Sequence, residues 1–218
     1  MTRCVVELAG PAGAGKTTLA SALVSEGGQA RVGVDSSRID LAIGAFSLGP
    51  VLAGARVSTS GRGWTKGELR SLVYLMAWHR ELASRSSGTY LLDHGPAFRL
   101  AVLAAWGPPM TRTPVFRKWW TRTAQAWGQL LDGVVWLDAP DAVLLERIDS
   151  RHRMHRIQNA DTETAQAFLA RYRAAYDAIL VLFREAGTPV LSIDTSTGTP
   201  ENLAARVRSS FLQEVGGG

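Results

Sequence analysis

Short apolar runs alternate along the chain with longer stretches in which apolar residues return every three or four positions. Runs of four or five residues closed by a turn former or an acid predict buried strands. The first covers residues 5–8, interrupted by Glu7 and closed by Ala9 and Gly10; the second covers 30–34 and stops at Asp35. Residues 89–92 stop at Asp93, 134–137 at Asp138, and 190–193 at Asp194. Helical spacing fills the intervals at 16–24, 97–106 and 114–131, and at 68–84 with Leu69, Leu72, Val73, Met76, Ala77 and Ala83 on or near one face. Pro140 and Asp141 open a helix to Ile148, a long helix covers 162–185, and Pro200 opens a last one ending near Phe211. The stretch 36–62, rich in Gly, Ser and Leu, reads as a helix followed by a mobile loop. Strands alternating with helices, without hairpin signals, predict an α/β three-layer sandwich with a parallel, roughly five-stranded sheet.

Composition narrows this picture without redirecting it. A chain of 218 residues with 46% hydrophobic and 20% charged residues suits one globular domain over 1–215, followed by a flexible tail at 216–218. The formal charge is +5 and the pI about 9.9, yet Lys and Arg form no long run. The excess fits a small polyanionic ligand, and no nucleic-acid partner is expected. Cys4 stands alone, which excludes an internal disulfide, and its apolar run makes it a buried small hydrophobe. Without an apolar stretch of about 18 residues or a signal-peptide pattern, the expected location is the cytoplasm, with no membrane partner.

The chemistry begins where the first strand ends. Gly10, Pro11, Ala12, Gly13, Ala14, Gly15, Lys16 and Thr17 satisfy G-x-x-x-x-G-K-[ST] at every fixed position, with Thr18 following. Glycines let the backbone curl so that its N–H groups point at an anion, and the next helix adds its positive end. Lys16 supplies a charge for the β and γ phosphates, and the Thr17 hydroxyl a ligand for Mg²⁺. A chance glycine-rich turn is the competing account. The base-reading motif N-K-x-D of GTPases is absent, and His94 follows Asp93 where a motor ATPase carries a water-activating Glu. Both absences favour transfer to an acceptor over hydrolysis.

From here the chain resembles the P-loop nucleoside and nucleotide kinases, closest to the thymidylate kinase and deoxynucleoside kinase branch. The likeness rests on the P-loop, on Tyr90-Leu91-Leu92-Asp93-His94, and on Trp136-Leu137-Asp138-Ala139-Pro140 with Leu145-Glu146-Arg147-Ile148. It continues through Arg151, Arg153 and Arg156 to Arg171-Tyr172-Arg173-Ala174-Ala175-Tyr176. Ile193-Asp194-Thr195 and Thr199-Pro200-Glu201 resemble the stretch that cups the purine of ATP. The resemblance implies ATP and Mg²⁺ as cofactors and an arginine lid at about 150–161. It also implies acceptor-binding helical regions at about 36–85 and 95–131. Two departures matter: His94 replaces the family's arginine, and Asp35 stands where the family has a Glu-Pro pair. An acid after this strand resembles the base of antibiotic phosphotransferases and adenylylsulfate kinase.

Asp35 and Asp93 end parallel strands, the edge at which open α/β sheets bind ligands. Asp35 is assigned as the base and Asp93 as the outer-shell partner of Mg²⁺ beside Thr17; the bland alternative makes each a helix N-cap. Lys16, Arg151, Arg153 and Arg156 complete the catalytic set, the arginines spreading over phosphate oxygens unless they form a merely solvated loop. Arg147, Arg151, Asp194, Thr195 and Thr199 join residues 10–18 as nucleotide contacts. Asp35, Arg38, Arg80, His94 and Arg99 are the acceptor contacts. Phe116, Trp120, Ala124, Trp127 and Leu131 recur at core spacing. Trp119 falls off that stripe, as a partly exposed ring, an oligomer contact, or a platform for an aromatic acceptor. The expected partner is a small-molecule acceptor such as a nucleoside, nucleotide, sugar or antibiotic, and a homodimer stays open. A nucleotide-dependent switch is the rival of another class.

Overall fold

In the computed structural model, β1 (Arg3–Ala9) lies at the centre of a parallel five-stranded sheet of order β2-β3-β1-β4-β5. The structure describes residues 2–25, 30–34, 38–56, 62–150 and 155–212, with the backbone alone at 25, 38–40 and 54–56. β1 is flanked by β3 (Gly88–Asp93), with Val5 opposite Tyr90, and by β4 (Gly133–Asp138), with Leu8 opposite Val135. β2 (Ala30–Val32) and β5 (Val190–Asp194) form the edges. Edge position shortens β2 relative to the apolar run 30–34. Gly33 turns away at φ 87°, and Arg31 and Val32 are exposed.

The pleat sends alternate residues of β1 into two cores. Val5 and Ala9 join the cluster built with α4 (Lys66–Ser84), α5 (Pro96–Trp106), α6 (Pro114–Leu130) and the lower part of α8 (Thr162–Glu185). Val6 and Leu8 join the one built with α1 (Lys16–Ser25), α7 (Asp141–Asp149) and α9 (Pro200–Val207). The expected parallel sheet with helices on both faces is therefore what the chain forms. The stretch after β2 yields two short helices, α2 (Arg38–Ser47) and α3 (Gly49–Arg56). α2 lies against α4, where Gly44 sits so near that a Cβ would meet the Val73 carbonyl oxygen at 2.9 Å.

Several expectations need correction. α4 buries Leu72, Leu75, Ala77, Trp78 and Leu82, while Leu69 and Ala83 face outward, because the helix packs on α5 and α6 with the Leu75 carbonyl accepting from the Trp127 indole at 3.1 Å. Phe116, Ala124, Trp127 and Leu131 are buried as the α6 pattern predicts. Trp120 is only half-buried, with its indole N–H donating to the Leu100 carbonyl at 3.1 Å. Trp119, also half-buried, packs against Phe116. Cys4 is half-buried, its Sγ 3.5 Å from the Phe211 carbonyl, and burial pushes its thiol up to about 11. The last helix stops at Val207, and one π turn carries the chain to Leu212.

Candidate functional site

Sheet order decides where a site forms. Connections leave β1 toward β2 on one side and reach β4 on the other, so a crevice opens at the C-terminal end of β1. The P-loop fills it. Gly10 has φ 147°, and a Cβ there would lie 2.1 Å from the Leu137 carbonyl oxygen. Gly15 (φ 80°) faces open space, so the loop presents its backbone to the crevice. Lys16 curls back, its Nζ donating to the carbonyls of Gly10 and Pro11 at 2.8 Å each.

Thr17, exposed in the first turn of α1, donates its hydroxyl to Asp93 Oδ2 at 3.2 Å. Asp93 Oδ1 lies 3.3 Å from His94 Nδ1, out of line for a hydrogen bond, and is buried without a hydrogen-bond partner. A hydroxyl and a half-satisfied carboxylate side by side at the foot of a phosphate loop suit a hard cation that keeps its own waters. The donor set therefore fits Mg²⁺. Among the described residues no group of three or more His, Cys, Asp or Glu side chains is arranged to hold a metal. Asp93 does not cap α5. The N-cap is Gly95, and the first free amides of that helix are taken by Glu7 of β1, at 2.9 Å to Ala97 N and 3.2 Å to Phe98 N. A carboxylate inside an apolar strand gave the sequence reading no sign of this contact.

A cavity of 380 Å³ opens beside the loop, lined by Gly13, Gly15, Thr18, Arg147, Thr195, Gly198, Pro200 and others. Arg147 crosses its floor, donating to Gly13 O at 3.3 Å, Thr195 Oγ1 at 3.0 Å and Thr195 O at 2.7 Å. Asp194 and Thr199 lie on the same loop but serve its own structure. Asp194 accepts from the Ser196 hydroxyl at 2.6 Å and from the Ser196 N–H at 2.8 Å, which together lower its carboxyl, and Thr199 caps α9. Arg173 joins two of the recognised stretches, gripping Asp138 at 2.8 Å and Asp141 at 2.6 Å.

Of the residues expected to contact an acceptor, Arg99 lies over the rings of Tyr74 (4.9 Å) and Trp78 (4.6 Å) and donates to Ser71 at 3.3 Å. Burial lowers its guanidinium, and Glu7 opposes that shift. His94 is exposed in a left-handed conformation (φ 58°), its ring edge-on to Phe98 at 4.4 Å. Arg80 is exposed one turn before the end of α4, where the chain returns to the start of β3. It is therefore nearer the edge of the sheet opposite the P-loop. Arg156 is exposed on the turn before α8. Asp35, Arg151 and Arg153, and the side chain of Arg38, lie outside the described residues.

A family model described as an AAA domain, AAA_33, matches residues 5–176, from β1 to the Tyr176 turn of α8. The chain belongs to the AAA_33 family. This is a P-loop NTPase and kinase-like family, and membership implies that the protein binds a nucleotide. The match ends before β5 and α9, so the Thr195 side of the cavity lies beyond it. Among solved structures, the chain is similar to the YorR protein of Bacillus subtilis, determined in complex with phosphorylated GDP. The likeness has a TM-score of 0.53 and 14% identity over 94% of each chain. At that identity it supports the fold. No curated protein matches the sequence. No helix among the described residues is long and apolar enough to cross a membrane.

Proposed function

We propose that this AAA_33 protein is a phosphotransferase that uses Mg²⁺ and ATP. It moves the γ-phosphoryl group to a hydroxyl, or a phosphate, of a nucleoside, nucleotide or similar small molecule. The observation that carries the reading is the meeting of Thr17 and Asp93 across the P-loop and the end of β3. Phosphoryl transfer demands positioning and charge more than covalent help from the protein. The loop amides and Lys16 would hold the triphosphate, with Lys16 exchanging its two carbonyl partners for phosphate oxygens. Arg147 and Thr195 would face the nucleoside end in the 380 Å³ cavity. Mg²⁺, held by Thr17 and through water by Asp93, would neutralise charge on the phosphate oxygens. Asp35 is assigned as the base that takes the acceptor proton, and Arg151, Arg153 and Arg156 as cations that close over the phosphates.

Within P-loop kinases, the thymidylate and deoxynucleoside kinase branch remains our assignment. It is supported by the meeting of Asp138, Asp141 and Arg173, which places the D-A-P turn against the Y-R-x-x-Y helix. His94 argues for an uncharged hydroxyl acceptor, because imidazole holds phosphate more weakly than a bidentate guanidinium. Turnover of ATP with panels of nucleosides, nucleoside monophosphates, sugars and aminoglycosides tests this. One panel should accelerate ADP release, nucleosides above their monophosphates. Slow turnover that no small molecule accelerates would instead mark a nucleotide-dependent switch, and faster turnover of a monophosphate with its nucleoside inert would reverse the choice of acceptor.

A further inference from the structure

Glu7 is wholly buried, flanked in sequence by the core residues Val6 and Leu8. A carboxyl group in such surroundings is costly unless hydrogen-bonded, and both of its oxygens are used. Oε2 accepts from Ala97 N at 2.9 Å and Oε1 from Phe98 N at 3.2 Å, the first turn of α5. The intervening turn is shaped around this contact. A Cβ on Gly95 would lie 2.8 Å from Glu7 Cδ and 2.9 Å from Oε1, and His94 takes φ 58°. The hydroxyl of Tyr176, buried without a hydrogen-bond partner, is near enough that the carboxyl adds to burial in raising its pKa. Arg99 from α5 and Asp93 from β3 are the other charged groups that act on it.

We infer that Glu7 is a positioning residue of the phosphoryl-transfer site. It locks the turn after β3, and with it the carboxylate of Asp93, against the P-loop. Fixing these groups to one buried carboxyl holds the Thr17–Asp93 pair in register although the two come from different elements. The functional half of this inference rests on the phosphotransferase reading, whereas its structural half does not.

The test uses a non-hydrolysable ATP analogue, its affinity measured calorimetrically in Mg²⁺ and in EDTA. In Glu7→Gln the side-chain amide turns a donor toward one of the two α5 amides, so the turn loosens while the P-loop stays intact. The gain in affinity that Mg²⁺ confers should fall about tenfold or more, in the range seen when supporting partners of metal ligands are altered. Affinity in EDTA should stay within about twofold. A side chain that only stabilised α5 would lower Tm and leave the Mg²⁺ gain unchanged. That result in folded Glu7→Gln overturns the inference.

A second measurement needs no nucleotide. Gly95→Ala should lower Tm less in a Glu7→Ala background than in the wild type. The penalty should shrink without vanishing, because Leu92 Cβ, 2.9 Å from the new methyl position, remains. Strictly additive effects would mean that Glu7 does not shape the turn. Wild-type protein that binds no nucleotide at all would refute the phosphotransferase reading itself, a result distinct from either of these.

Discussion

Lys16 turns back on the loop it belongs to, donating to Gly10 O and Pro11 O at 2.8 Å each. Its charge is thus poised over the cradle before any phosphate arrives. Lys16→Ala should cut transfer by about a hundredfold or more, as removal of single electrostatic stabilisers does, with Tm little changed. Asp93→Asn keeps the shape of a side chain that caps no helix, so its loss should act on the metal. The Mg²⁺ concentration for half-maximal rate should rise, and excess Mg²⁺ should restore part of the rate. Glu7 makes a different prediction, in pH. Burial raises its carboxyl from 4.5 to about 8, the α5 amides and Arg99 opposing the shift and Asp93 adding to it. Between those values the folded state holds a proton that the unfolded chain has released, so stability must fall as pH rises. Relative to Glu7→Gln, wild-type Tm should decline from about pH 5 to 8 and level off above; a difference that grows in that window would contradict the burial effect. The motif residues were legible because their chemistry is local to eight consecutive positions. Glu7 was not, because its partners lie 90 and 91 residues away.

At the scale of elements, apolar spacing placed α4 within two residues of its start, whereas the cap that fixes that start went unread. α4 begins with a capping box in which Thr65 Oγ1 accepts from Glu68 N at 3.2 Å and Glu68 Oε2 accepts from Thr65 N at 2.8 Å. Arg62 adds a grip on Glu68 and reaches the Trp106 carbonyl at 2.7 Å, tying the start of α4 to the end of α5. Thr65→Ala should cost about 1 kcal/mol in denaturant unfolding, the usual worth of an N-cap. A change near zero would show that Arg62 and Glu68 hold the end unaided. Gly10→Ala tests the P-loop turn more severely. Forcing a side chain into that backbone region costs about 1–3 kcal/mol before its clash with the Leu137 carbonyl is counted, so Tm and nucleotide affinity should fall together. Which face of α4 is buried was less legible. Leu69 and Ala83 belong to the apolar pattern, yet only packing against α5 and α6 selects Leu72, Leu75 and Leu82.

For the whole molecule, alternation of strand and helix foretold the parallel sheet, but nothing local foretells the order β2-β3-β1-β4-β5. That order creates the crevice, and it brings Thr17, Asp93, Arg147 and Thr195 to one edge from four separated segments. It also leaves Arg80 nearer the opposite edge, a distinction invisible to a helical pattern that counts residues without knowing where the helix ends. The P-loop half of the crevice is therefore well marked in the sequence, whereas the half proposed for the acceptor depends on α4 packing against both α2 and α5. The account as a whole claims that a phosphoryl group leaves ATP and arrives on a small molecule. The direct measurement is mass spectrometry of the acceptor after incubation with Mg²⁺ and ATP labelled with ¹⁸O in the γ-phosphoryl group. A labelled phosphoryl group on an acceptor, formed by wild type and lost with Lys16→Ala, is the predicted result. Label recovered only as inorganic phosphate, whatever acceptor is present, would contradict it.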